Sequence, residues 1–174
     1  MMILSVYDRS VPIFTRGITI LHALLDKGEA HAIERAVVPD YYIRAQLAPD
    51  MAPLARQIQF ATDSAKFSAA RLSQTKPPAF PDTEITFKDL RHRCDATLSF
   101  LAGLDAQTFL GAEERIVSFP WDGRQLTLPA ETYLLQYGYP NFFFHITTAY
   151  DILRHIGVPL GKRDYLSLYD GVFQ

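Results

Sequence analysis

Cysteine is nearly missing from this chain. Cys94 is the only one in 174 residues, so no internal disulfide can form, which fits a reducing compartment. An excess of either charge is missing as well. The 17 Lys and Arg stand against 19 Asp and Glu, and no basic run exceeds a pair, so nothing electrostatic favours nucleic acid. No apolar run approaches the ~18 residues of a membrane span. The opening Met-Met-Ile-Leu-Ser-Val-Tyr-Asp-Arg reaches a charge too early for a signal segment. These absences predict a cytoplasmic protein with no membrane or nucleic-acid partner. There is also no nucleophile elbow, phosphate-cradling glycine loop, dinucleotide fingerprint or internal repeat. What remains is a chain that is 48% apolar and 13% aromatic, suited to one globular domain over residues 1–174.

Helical periodicity dominates. Val11, Phe14, Ile18, Leu21 and Leu25 mark a first helix within Leu4 to Lys27, with Pro12 kinking or breaking its early turns and Gly28 as its stop. Residues 30–49 read as a long connection carrying one or two helical turns, around Tyr41 to Leu47. Asp50 is the expected cap of a second helix whose face is Leu54, Ile58, Ala61, Ala65, Ser68 and Leu72. Lys76 to Pro81 form an extended linker. Thr86, with Asp89 three residues on, caps a third helix through Phe87, Leu90, Cys94, Leu98 and Leu101, ending near Gly103. Ile116 to Phe119 and Gln125 to Leu128 flank Pro120-Trp121-Asp122-Gly123, a hairpin signal, with Trp121 as the expected anchor. A fourth helix runs from Pro129 or Ala130 to Arg154 or His155. Pro140 must bend it, and Gly157 and Pro159 close it. A tail with Tyr165 and Tyr169 packs back. Four long helices and one hairpin before the last of them predict an all-α four-helix bundle.

Three blocks carry a family resemblance. The first is Leu47-Ala48-Pro49-Asp50-Met51-x-Pro53-Leu54-x-Arg56-Gln57-Ile58-Gln59. The second is Gly111-Ala112-Glu113-x-Arg115. The third is Tyr133-Leu134-Leu135, continuing through Pro140-Asn141-Phe142-x-Phe144-His145-x-Thr147-Thr148-Ala149-Tyr150 to Gly157-Val158 and Asp164-Tyr165. Together they resemble the DUF1993 family, whose activity is unknown and which looks like a branch of the DinB/YfiT-like superfamily. That resemblance implies a DinB-like bundle, often dimeric. It also implies a place for a divalent metal, which many relatives hold with one histidine from the second helix and two from the last. Carried over, the last-helix pair falls on Asn141 and His145, and the second-helix histidine falls near Gln57 or Gln59. Amides are poor ligands for zinc and its neighbours. No cofactor is therefore expected, with a divalent metal at His145 as the alternative.

Asn141, His145 and Thr148 form a polar stripe on an otherwise aromatic and aliphatic helix, and buried polar groups need partners. His145 reads as a hydrogen-bonded core histidine, as a general base or ligand contact, or as a metal ligand. Asn141 either satisfies backbone freed by Pro140, bonds His145, or touches a ligand. Gln57 shares the inward side of the second helix and is preferred over Gln59 as partner to these groups. The candidate ligand-binding set is thus His145, Asn141, Gln57, Thr148 and Gln59, with no catalytic residue assigned. Asp63 and Lys66 read as a solvated pair, His92 as exposed and Cys94 as buried and inert. His22 is placed where it could share the interior with His145. Tyr133, Tyr137, Tyr139, Phe142, Phe143, Phe144 and Tyr150 are more aromatic surface than one helix can bury, which predicts a homodimer. Two functions follow from the sequence. One is a metal-free module binding a small molecule inside the bundle. The other, which the superfamily resemblance implies, is a metal-dependent hydrolase or thiol-type transferase with atypical ligands.

Overall fold

The structure, a computed structural model, describes residues 4–166. Its elements are α1 (Val11–Glu34), α2 (Pro39–Ile43), α3 (Leu54–Ser73), α4 (Phe87–Ala102), the hairpin strands β1 (Ile116–Trp121) and β2 (Arg124–Pro129), α5 (Ala130–Tyr133), α6 (Tyr139–His155) and α7 (Lys162–Leu166). Helices α1, α3, α4 and α6 make the bundle, with α3 packed against both α6 and α4, and α1 against both α4 and α6. The core between them is aliphatic and aromatic, with Phe14, Ile18, Leu21, Leu54, Ala61, Ala65, Leu90, Cys94, Phe142 and Ala149 fully buried.

Helices α1 and α3 begin later than the sequence predicts, and proline is the reason for both. Pro12 lies in the first turn of α1, where its missing N–H costs nothing. Asp50 sits in a turn rather than at a cap, because Pro53 disfavours a helical Ala52 and α3 starts at Leu54. Gly28 does not stop α1, which runs on to Glu34. A Cβ there would lie 3.1 Å from both Leu153 and Phe87, so the glycine serves close packing instead. Thr86 and Asp89 do form the reciprocal cap of α4.

The hairpin pairs Val117 with Leu128 and Phe119 with Leu126 in antiparallel register. Asp122 and Gly123 turn it with φ of 48° and 71°, the left-handed pair that a two-residue loop of matching twist requires. Phe119, not Trp121, anchors it. Trp121 shares the inward side but overhangs the bundle at the hairpin tip and is 54% exposed, whereas Phe119 is buried. Arg115 fastens the base of the hairpin by donating to the Leu72, Thr108 and Leu110 carbonyls.

The last long helix is broken as Pro140 requires. A π-helical segment, Leu134–Gly138, separates α5 from α6. Pro140 cannot donate to the preceding turn, and the wider turn absorbs the missing bond. At the C-terminal end Tyr165 packs edge-on to Tyr150 and its hydroxyl lies 3.0 Å from that of Thr147. Tyr169 lies outside the described residues.

Candidate functional site

Helices α3 and α6 meet along a line of polar groups. From α5 through the π segment into α6, the spacing of four brings Tyr133, Tyr137, Asn141 and His145 onto one stripe. From α3, Gln57, Phe60, Ser64, Phe67 and Arg71 recur at three and four. Between them lies a cleft of about 220 Å³ lined by Phe60, Asp63, Ser64, Phe67, Arg71, Tyr133, Tyr137, Asn141 and His145.

His145 is held in one chemical state. Its Nδ1 lies 2.9 Å from Gln57 Oε1. The Gln57 amide is oriented by its own bond, since Nε2 donates to the Ala52 carbonyl at 3.0 Å. Oε1 can only accept, so Nδ1 carries the proton and Nε2 presents a lone pair. Burial against Phe60 and Phe144, whose ring centroids lie 5.1 and 5.3 Å away, disfavours the imidazolium. It lowers the His145 pKa from 6.5 to about 4. At neutral pH the group is therefore an uncharged hydrogen-bond acceptor at the cleft wall. Gln57 itself is 2% exposed and stands behind His145, so its contact with the cleft is indirect.

Asn141 neither bonds His145 nor repairs the backbone at Pro140. Its Nδ2 reaches across to Ser64 Oγ at 2.9 Å. Thr148 is turned away, its hydroxyl donating to the Phe144 carbonyl at 2.8 Å. Gln59 belongs to a different network. It accepts from Arg56 at 2.7 Å and donates to Glu84 at 2.7 Å. The structure thus brings Gln57, Asn141 and His145 together and leaves Gln59 and Thr148 outside the cleft.

The opposite end of the cleft was not singled out in the sequence. Arg71 Nη1 donates to the Tyr133 hydroxyl at 3.0 Å, and that hydroxyl lies 2.8 Å from Ser68 Oγ. The guanidinium carbon sits 4.0 Å above the Phe119 ring. Arg71 lies off the alanine face of α3 that helical periodicity marks as buried. The signal was there in a second stripe, offset from the alanines, in which Ser64 and Arg71 interrupt aromatic residues.

Two further expectations change. Lys66 is not solvated, while Asp63 stays 30% exposed. The linker folds back over α3, Phe80 covers the Lys66 ammonium at 4.2 Å, and Lys66 is 2% exposed while pairing with Asp63 at 2.8 Å. His22 does not share the interior with His145. It faces Asp26 and Asp95 at 3.2 and 3.4 Å, between α1 and α4. Cys94 is fully buried, and burial pushes its thiol up to about 12, too high for a nucleophilic thiolate at neutral pH.

The residues do not fit the metal that the superfamily resemblance implies. Among the described residues no three His, Cys, Asp or Glu side chains cluster closely enough to share an ion. In the three positions carried over, Gln57 spends both ends of its amide on Ala52 and His145, and the Asn141 Nδ2 is bound to Ser64. One free imidazole nitrogen is too few donors for a firm zinc site.

The model of the DUF1993 family, a domain of unknown function, matches residues 6–166. The crystal structure of a DinB family member from Shewanella denitrificans is similar throughout. It is 39% identical, covers 94% of this chain and 93% of its own, and superposes with a TM-score of 0.86. No curated protein matches the chain.

Proposed function

The chain belongs to the DUF1993 family and has the DinB-type bundle, and from that premise we propose that it binds a small molecule in the cleft between α3 and α6, without a three-histidine metal site. The observation that carries this reading is the locked neutral tautomer of His145. Gln57 fixes Nδ1–H, burial keeps the ring uncharged, and Nε2 has no hydrogen-bond partner among the described residues. An acceptor so oriented is suited to an O–H or N–H of a ligand. Asn141 adds an amide whose oxygen is likewise without a partner among the described residues. The cleft, at about 220 Å³, is below the roughly 300–1,000 Å³ of sites for drug-sized molecules, so its occupant is small.

A homodimer belongs to the same proposal. Leu135 and Phe144 are 61% and 56% exposed around the cleft helix, and burial of such side chains is what an isologous interface supplies. So does a cytoplasmic location, supported by a single buried thiol, while no helix among the described residues is long and apolar enough to cross a membrane.

The test is a thermal-shift and NMR screen of small polar aromatics against protein purified without a histidine tag, paired with elemental analysis. Binding that perturbs His145 and Asn141 resonances and weakens in His145→Gln supports the reading. Stoichiometric metal that is lost in His145→Ala would contradict it.

A further inference from the structure

Resting on that cleft reading, we propose that the ligand is a small carboxylate on a flat apolar body, anchored by Arg71. The cations beside α3 divide into two kinds. Arg93 meets Asp63, Asp82 and Glu84 at 2.8, 3.0 and 2.9 Å, Lys66 meets Asp63 at 2.8 Å, and Arg56 meets Asp82 at 2.7 Å. Three cations thus share three carboxylates. Arg71 has no carboxylate within ion-pair distance among the described residues. Asp63 lines the same cleft, but its carboxylate is already taken by Lys66 and Arg93.

Arg71 is also held ready. It is half-buried, with Phe119 under the guanidinium at 4.0 Å and with Phe67 and Tyr133 at 5.5 and 5.8 Å. The Tyr133 hydroxyl accepts from Nη1 at 3.0 Å, and the remaining N–H groups have no protein acceptor among the described residues. A planar fork fixed by rings and one hydrogen bond loses little entropy on accepting a two-oxygen partner. One positive charge matches a carboxylate better than a phosphate dianion. Phe60, Phe67 and Tyr137 supply flat walls leading from Arg71 toward Asn141 and His145. Side chains of a helix lean toward its N-terminus, and α3 and α6 run in opposite directions here. Arg71 and His145 therefore lean toward each other along the cleft.

The test uses 3-phenylpropionate, its uncharged primary amide and inorganic phosphate as probes. Binding to the full chain is read by NMR shifts and calorimetry at fixed ionic strength. The acid is expected to bind about tenfold or more tightly than the amide. Arg71→Gln should remove that difference by weakening the acid alone, and Arg71→Lys should fall between. If Arg71→Gln does not fold, the acid–amide ratio in the unmodified protein and the Arg71→Lys result decide. Equal binding of acid and amide, both weakened in His145→Gln, would overturn the Arg71 anchor and leave the cleft reading standing. Phosphate binding more tightly than the acid would overturn the carboxylate assignment. No probe perturbing any cleft residue would overturn both.

Discussion

On one side of α3, Gln59, Thr62, Asp63 and Lys66 meet Arg93, Asp82 and Glu84. On the other, Gln57, Ser64 and Arg71 meet His145, Asn141 and Tyr133. The first side is closed. The Arg93 Nε donates to Thr62 at 2.7 Å, its remaining nitrogens reach three carboxylates, and the group is 2% exposed. Burial opposes the Arg93 charge, but hydrogen bonding to Glu84 and the charges of Asp63, Glu84 and Asp82 outweigh it and hold the pKa above its ordinary value. The second side is open, with a neutral histidine, a one-sided asparagine and a cation that no carboxylate answers. Matched charges that satisfy one another hold a linker in place and leave nothing over for a ligand. Unanswered groups around an open cleft are where binding free energy can still be gained.

The largest effect should come from opening the closed side. Arg93→Leu takes the ion-pair partner from Glu84 and leaves Asp63 with Lys66 alone, and should destabilise the fold by about 3–5 kcal/mol, read from urea unfolding. A loss under about 1 kcal/mol would mean that solvent reaches these carboxylates and that the network is not sealed. On the open side Tyr133→Phe removes one hydroxyl from between Ser68 and Arg71. It should cost less, about 1–2 kcal/mol, with the larger consequence for carboxylate binding.

The two sides should also separate by pH. His145 has a folded pKa of about 4 against 6.5 for the free group. The unfolded chain binds the extra proton first, so stability present above pH 6.5 is lost as pH falls toward 4. His145→Gln should flatten the stability profile across that window. Asp82 responds lower down. Burial raises its pKa, but the Arg56 hydrogen bond and the Arg93 charge outweigh this and hold it below 3.8. Its contribution is present above 3.8 and is lost as pH falls through its depressed value. A His145→Gln profile indistinguishable from that of the unmodified protein would place the imidazole in water.

Much of this contrast could be read in the sequence where local rules operate. The Thr86–Asp89 cap and the Asp122–Gly123 turn depend on neighbouring residues, and the offset that turns Gln57 inward depends on one helix. The break at Pro140 was legible, but its form as a π turn was not, because it depends on how α6 packs against α3 while α5 packs against the hairpin. The cap at Asp50 and the stop at Gly28 failed because Pro53 and the close approach of Phe87 and Leu153 overrode propensity. Arg71 and Arg93 were invisible as opposites. Both sit on helices near aromatic residues, and only the fold brings Asp63 of α3 and Asp82 and Glu84 of the linker to Arg93.

Ligand binding in the cleft requires His145 to be a neutral, Nδ1-protonated group fixed by Gln57. A nitrogen-15 NMR titration of the imidazole tests it directly. We expect a protonated Nδ1 and a bare Nε2 down to a pKa of about 4, with the preference for Nδ1–H lost in Gln57→Leu. A titration near 6.5, or an Nε2–H tautomer in the intact protein, would contradict it.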